Sequence, residues 1–118
     1  MSDKSYNGWK NFETWVVNLW LTNEQHPYEY WMDRAREIYN HKAQATKYFS
    51  RKEEAVYMIA EDLKDGHEQA RDDMMENSNM TASLWTDLLT HSLADVDWRA
   101  IAQHVLDDAL ENVTNSNK

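Results

Sequence analysis

No cysteine occurs anywhere in the chain. Its absence excludes a disulfide framework, an iron–sulfur site, a thiolate zinc site and a cysteine nucleophile together, and it agrees with a reducing compartment. Glycine occurs twice and proline once, so neither a phosphate-cradling glycine loop nor a series of tight hairpins is available. No apolar run approaches the roughly 18–20 residues that a membrane span requires. The opening MSDKSYNGWKNFE lacks the continuous apolar stretch of a secretory leader, and the expected compartment is the cytoplasm.

What is present describes a globular protein. The 118 residues are 42% hydrophobic and 28% charged, far from the low-hydrophobicity composition of disordered chains. This length suits one domain with its own core. Six tryptophans stand out: Trp9, Trp15, Trp20, Trp31, Trp85 and Trp98. Large aromatics anchor small cores by burying roughly 150–250 Å² each, and one or two on the surface would mark a binding site.

Apolar residues recur at helical spacing and nowhere alternate with period two, which predicts an all-α compact bundle of four to five helices with no sheet. Residues 1–10 and 112–118 are expected to be loose. Asn11 suits an N-cap, opening a helix over about 12–22 whose apolar stripe is Phe12, Trp15, Val16, Leu19 and Trp20. Pro27 fits the first turn of a second helix, running to about Ala45 with Tyr28, Trp31, Ala35, Ile38, Tyr39 and Lys42 on one side.

Ser50-Arg51-Lys52-Glu53 reads as a capping box before a third helix with Ala55, Met58, Ile59, Asp62 and Leu63 on one stripe. Gly66 either ends this helix or lies inside it at a cost of about 1 kcal/mol relative to alanine; if the helix continues, Ala70 and Met74 stay on the stripe. Residues 75–81 read as a loop. Thr81 or Ser83 then opens a fourth helix, apolar at Leu84, Trp85, Leu88, Leu89 and Leu93. Asp95 or Asp97 caps a fifth, with Trp98, Ile101, Ala102, Val105, Leu106 and Leu110 facing in.

Charge is unevenly distributed. Residues 1–52 carry a net of +2, residues 53–111 a net of −12, and the whole chain −9. Arg34, Arg36, Lys42, Lys47, Arg51 and Lys52 form a basic cluster. It is followed by an acidic run containing Glu61, Asp62, Asp65, Glu68, Asp72, Asp73 and Glu76. Such runs commonly serve only as solvated helix faces. The functional alternative is a surface attractive to a basic partner, in its extreme form a mimic of DNA, whose duplex carries about one charge per 1.7 Å of axis. Direct nucleic-acid binding by the basic cluster is disfavoured by the acidic flank and the negative overall field.

The residues of an enzyme are not recognisable. His26, His41, His67, His91 and His104 include no pair at the i, i+4 spacing of a helical zinc site. His67-Glu68 begins like a metalloprotease motif, but Arg71 stands where the second histidine belongs. Glu37 and His41 are one residue too far apart for the Glu-x-x-His of di-iron bundles. Glu61, Asp62, Asp65 and Glu68, with Asp72 and Asp73 near, remain open as a divalent-cation cluster. No catalytic residue, cofactor or metal is expected.

The run Tyr6-Asn7-Gly8-Trp9-Lys10-Asn11-Phe12-Glu13-Thr14-Trp15, followed by Val16-Val17-Asn18-Leu19-Trp20-Leu21, resembles the opening of a family of small, largely uncharacterised proteins from bacteriophages and other mobile elements. Asp87-Leu88-Leu89 and Val96-Asp97-Trp98-Arg99-Ala100-Ile101-Ala102 are similar to that family's C-terminal portion; residues 27–80 carry no such likeness. The resemblance implies a setting, a host cell's cytoplasm, in which small accessory proteins act by binding a host protein, and it transfers no site residues. In physical terms the motif is a helix start: Asn7-Gly8 turns the chain, Asn11 caps, Glu13 favours the dipole, and Trp15, Leu19 and Trp20 pin the helix to the bundle.

The functional expectation is a non-enzymatic phage-type accessory protein that inhibits a host defence or DNA-binding protein, such as a restriction or CRISPR nuclease, through Asp62, Asp65, Glu68, Asp72, Asp73 and Glu76. The alternative is a self-associating helical module, possible as a homodimer, that uses Tyr28, Tyr30 and Trp31. No membrane partner is expected.

Overall fold

Asn7 and Gly8 both adopt positive φ, 49° and 88°, the backbone that a two-residue hairpin turn requires and that Asn-Gly adopts readily. The turn closes with Tyr6 and Trp9 exchanging backbone hydrogen bonds of 2.7 and 2.8 Å. The structure, a computed structural model, describes residues 5–78 and 84–116, with side chains as far as Glu111. Five α-helices account for the fold, and no strand occurs among the described residues.

Helix α1 spans Phe12–Asn23, with the Asn11 side chain accepting the Thr14 N–H at 2.9 Å as its N-cap. Its orientation departs from the apolar stripe. Thr14, Asn18 and Leu21 face the core, while Phe12 is 49% and Trp20 64% exposed. Of this inward polar stripe Thr14 has specific partners, whereas the buried Asn18 Oδ1 has none among the described residues. The Thr14 hydroxyl donates to Asn11 Oδ1 (2.6 Å) and accepts the Asp97 N–H (2.8 Å), and Asn11 Nδ2 donates to the Asp95 carbonyl (2.8 Å). Buried polar groups are tolerated when so paired.

Helix α2, Gln25–Glu37, takes Pro27 in its first turn, where a missing N–H costs nothing. It stops at Glu37, earlier than the sequence suggests, and passes into a π-helical turn, Ile38–Lys42, closed by Ala43 N–H to Ile38 C=O at 2.8 Å. The wider turn keeps both Ile38 and Ala43 buried before the chain becomes extended.

Helix α3, Arg51–Asn77, opens with the expected capping box: Glu53 N–H to Ser50 Oγ at 3.1 Å and Ser50 N–H to Glu53 Oε1 at 2.8 Å. The hydrogen bond from the Ser50 backbone, then that of its side chain, hold the Glu53 carboxyl below the usual carboxylate range. Gly66 lies inside α3 and faces the Trp31 ring. Met75–Asn77, expected in a loop, belong to this helix, and Ser78 forms a turn. Thr81 and Ser83 lie outside the described residues. Helix α4 spans Leu84–Ala94, and α5, Trp98–Ser116, begins with Asp97 accepting the Ala100 N–H at 3.2 Å.

The core sits where α5 packs against α2 and α3. Ala35, Ala55, Ala102 and Ala109 have no exposed surface, and such small side chains let helices approach closely around Ile38, Ile59, Leu63, Ile101, Val105 and Leu106. Lys52 to Asp107 (2.8 Å) ties the start of α3 to α5. On α3 every buried side chain lies between Ala55 and Leu63. Beyond that point Ala70 and Met74 keep the same face of the helix, as expected, but are exposed because the core does not reach them. On α4 only Thr86 is buried; Leu84, Trp85 and Leu88, expected to face in, are 65%, 64% and 49% exposed. Among the described residues, no helix is long and apolar enough to cross a membrane.

Candidate functional site

The acidic residues singled out by sequence all lie on α3. At about 100° per residue, Asp65, Glu68, Asp72 and Glu76 fall within roughly 80° of arc opposite the core face, and Asp62 and Asp73 lie roughly 40–60° beyond it, towards the core side. They are not equivalent. Asp62 is bound to Arg34 Nε at 2.9 Å, so it joins α3 to α2 and is not available as a free docking charge. Asp72 contacts its neighbour Arg71 at 3.0 Å, and Asp73 accepts from Gln69 at 3.0 Å. Among the described residues, Asp65, Glu68 and Glu76 engage no cation.

The basic cluster is largely consumed by the fold. Arg34 pairs with Glu37 (2.8 Å) as well as Asp62, and those hydrogen bonds keep its guanidinium pKa above the ordinary value. Arg36 holds Asp33 (2.6 Å) and donates to the Ala109 carbonyl (3.1 Å). Arg51 donates to the Tyr39 carbonyl and lies over the Tyr39 ring. Lys52 holds Asp107; partial burial pushes that carboxyl up, but hydrogen bonds from Lys52 and Gln103 outweigh it and leave it below the usual range. Lys47 sits over Tyr48, 5.7 Å from the ring centre.

The aromatics named for self-association divide in the same way. Tyr28 donates its hydroxyl to Asp108, and burial together with that bond holds its pKa well above the ordinary tyrosine value. Trp31 is half-buried against Gly66 and His67. Tyr30 is exposed, edge-on to Trp31.

Larger apolar surfaces lie elsewhere. Met74 and Met75 of α3 and Trp85, Leu88 and Leu89 of α4, with Thr86 and Ser92, line an apolar cleft of about 360 Å³. Val16, Trp20, Pro27 and Trp31 border a second groove along α1, about 390 Å³ in volume. Sequence reasoning missed the first of these. Its signal was the Met74-Met75 pair, which gives adaptable apolar surface, followed by an apolar stripe on α4 too short to need both a core face and a partner. Fully burying one such side chain contributes roughly 1.5–3 kcal/mol, so these exposed groups represent unused driving force for association.

The histidines do not assemble a site. His67 is engaged with the Leu63 carbonyl (2.7 Å) between the Trp31 and Trp98 rings, and His91 lies 3.4 Å from Asp95. Glu61, Asp62, Asp65 and Glu68 do not converge on a cation position; among the described residues no group of three or more His, Asp or Glu side chains is placed to hold one.

Fold and surface together define an all-α protein with a three-helix core and two peripheral helices, α1 and α4, that present apolar side chains outward. The chain belongs to the family of unknown function DUF7249, which it matches over residues 2–116. No curated protein and no solved structure matches it.

Proposed function

We propose that this chain is a non-enzymatic accessory protein of phage type that acts by binding a basic surface on a host macromolecule, such as the DNA-binding face of a defence nuclease. The observation that carries this reading is the outer flank of α3, where Asp65, Glu68 and Glu76 engage no cation among the described residues and Asp72 and Asp73 have only local contacts. From Asp65 to Glu76 five carboxylates occupy about 16 Å of helix axis, one per roughly 3–4 Å. Duplex DNA carries one charge per about 1.7 Å, or 3.4 Å for each strand. The flank therefore resembles one strand's charge spacing, which favours a partner that grips a single backbone over one that encloses a whole duplex.

A tagged wild type and an Asp65→Lys/Asp72→Lys/Glu76→Lys variant, incubated with host lysate and washed at low and moderate salt, test this reading. The wild type is expected to retain a DNA-binding protein that the variant loses, with retention falling as salt rises. Equal retention by both proteins overturns it.

A second reading, self-association through exposed aromatics, is favoured by the outward stripe of α1, where Phe12 and Trp20 are both largely exposed. Sedimentation equilibrium that finds only monomer at high concentration overturns it.

A further inference from the structure

We infer that the groove between α1 and the first turns of α2 is a seat for one arginine side chain of a basic partner. The inference rests on the protein-binding reading above, from which it takes only that the partner is basic, and it uses none of the α3 carboxylates. At about 390 Å³ the groove lies near the lower end of the range for small-ligand pockets, roughly 300–1,000 Å³, the scale of a single long side chain. Trp20 and Trp31 line it beside Val16, Val17 and Pro27, and the lining is aliphatic or aromatic except for two residues, Glu24 and His67.

These two residues select the occupant. Glu24 stands at the corner between α1 and α2, where its side chain makes no capping hydrogen bond. Nδ1 of His67 lies 2.7 Å from the Leu63 carbonyl. A carbonyl only accepts, so Nδ1 carries the hydrogen and Nε2 of the neutral ring is left as an acceptor. Both groups therefore call for N–H donors, and the carboxylate calls for positive charge. The indoles ask for the same, since their faces attract a cation within about 6 Å. A guanidinium meets every requirement: it is always charged, carries five donors, is weakly hydrated and lies flat on aromatic rings. The ammonium of lysine holds its water more tightly and does not stack.

The surrounding charge agrees. Residues 12–33 contain Glu13, Glu24, Glu29 and Asp33 and, His26 apart, no basic side chain. Asp33 is held by Arg36, and the other three engage no cation among the described residues. Glu13 precedes Val16 and Val17 by three and four residues, which puts it on the groove's side of α1. The cations that flank His67 in sequence, Lys64 and Arg71, do not line the groove. Lys64 borders a different pocket, and Arg71 is held by Asp72. A second copy, at a net charge of −9, approaches these walls against their own sign.

The test titrates the full chain at pH 8 with acetyl-Ala-Arg-Ala-amide, its lysine counterpart and its citrulline counterpart, which keeps the shape of arginine without the charge. Binding is read from the NMR signals of the indole N–H groups. The arginine peptide is expected to bind, to shift Trp20 and Trp31 and to leave Trp85 in place. The lysine peptide should bind a few-fold more weakly and the citrulline peptide about tenfold more weakly or not at all. Glu24→Gln and Trp20→Ala, both at exposed positions, should each weaken arginine binding about fivefold or more. Asp65→Lys/Asp72→Lys/Glu76→Lys should change it by less than about twofold. Circular dichroism checks that the variants stay folded; Trp20→Leu replaces Trp20→Ala if that one does not.

Arginine binding that needs Glu24 and Trp20 but not the α3 carboxylates supports the seat whatever the fate of the α3 flank. Binding lost in the α3 variant and kept in Glu24→Gln overturns the seat and leaves the reading above standing. Equal binding of the citrulline peptide overturns the cation, and equal binding of the lysine peptide overturns the arginine. Trp20 and Trp31 signals that move as the protein alone is concentrated identify a second copy as the occupant and overturn the inference. Failure of the arginine peptide to bind, or binding that leaves both indoles unshifted, overturns it as well.

Discussion

The hydroxyl of Thr14 accepts the backbone N–H of Asp97 at 2.8 Å across 83 residues of sequence. The same hydroxyl donates to Asn11, which caps α1, while Asp97 caps α5. Two helix starts are thus joined through one fully buried side chain. Thr14→Val keeps the shape but removes both bonds and leaves the Asp97 N–H without its acceptor. We expect a loss of about 1–3 kcal/mol in urea unfolding, with Thr14→Ser recovering most of it. A valine variant as stable as wild type would show that the link contributes nothing.

Tyr28 gives the fold an alkaline limit. Burial first, then the hydrogen bond and charge of Asp108, raise its pKa above the ordinary 10.0. The folded state therefore favours the neutral phenol. The associated stability is fully present below pH 10 and is lost as pH rises through the folded pKa. Tyr28→Phe should cost about 1 kcal/mol at neutral pH, and its difference from wild type should shrink steadily above pH 10. A difference that stays constant or grows there would contradict the assignment.

Gly66 is an interior helical residue with room to spare. An added Cβ would meet Trp31 ring carbons at 3.5 and 3.6 Å, ordinary contact distances. Gly66→Ala should therefore stabilise the protein by about 0.5–1 kcal/mol, read as a rise in Tm. A fall would mean that α3 needs glycine for a bend at this point.

Asp62 and Asp65 are close in sequence and opposite in role. Asp62→Asn breaks the 2.9 Å tie to Arg34 and should lower stability by about 0.5–1 kcal/mol, the scale of a partly exposed pair. Asp65→Asn touches no partner among the described residues and should stay within about 0.5 kcal/mol of wild type while weakening capture of a basic partner. Thermal melts of the two variants side by side would separate the roles; identical shifts would refute the division.

The parts of the fold legible in the sequence were those fixed by local chemistry. Ser50 and Glu53 announce the start of α3 because both partners of the capping box lie within one turn, and Asn11 announces α1 for the same reason. The inward faces of α2, the first half of α3 and α5 follow from apolar periodicity. Periodicity misled at α1 and α4. It reports which side of a helix is apolar, and the side facing the core was decided at α1 by hydrogen bonds from Thr14 that no local pattern reveals. The acidic flank of α3 was readable because its spacing is that of a single helix. That Asp62 is captured by Arg34, 28 residues away, is a tertiary fact, as is the meeting of Met74 and Met75 with Trp85.

The distribution of the six indoles also determines how this protein reports on itself. Trp98 is 8% exposed, whereas Trp20 and Trp85 are each 64% exposed. Native emission will therefore include a large water-facing component, and unfolding will move the average wavelength less than six tryptophans suggest. Sensitivity instead favours encounters at the surface. A neutral quencher such as acrylamide should reach the exposed Trp20 and Trp85 in the native fold and leave the buried Trp98 largely unquenched, so surface and core indoles can be told apart without any label.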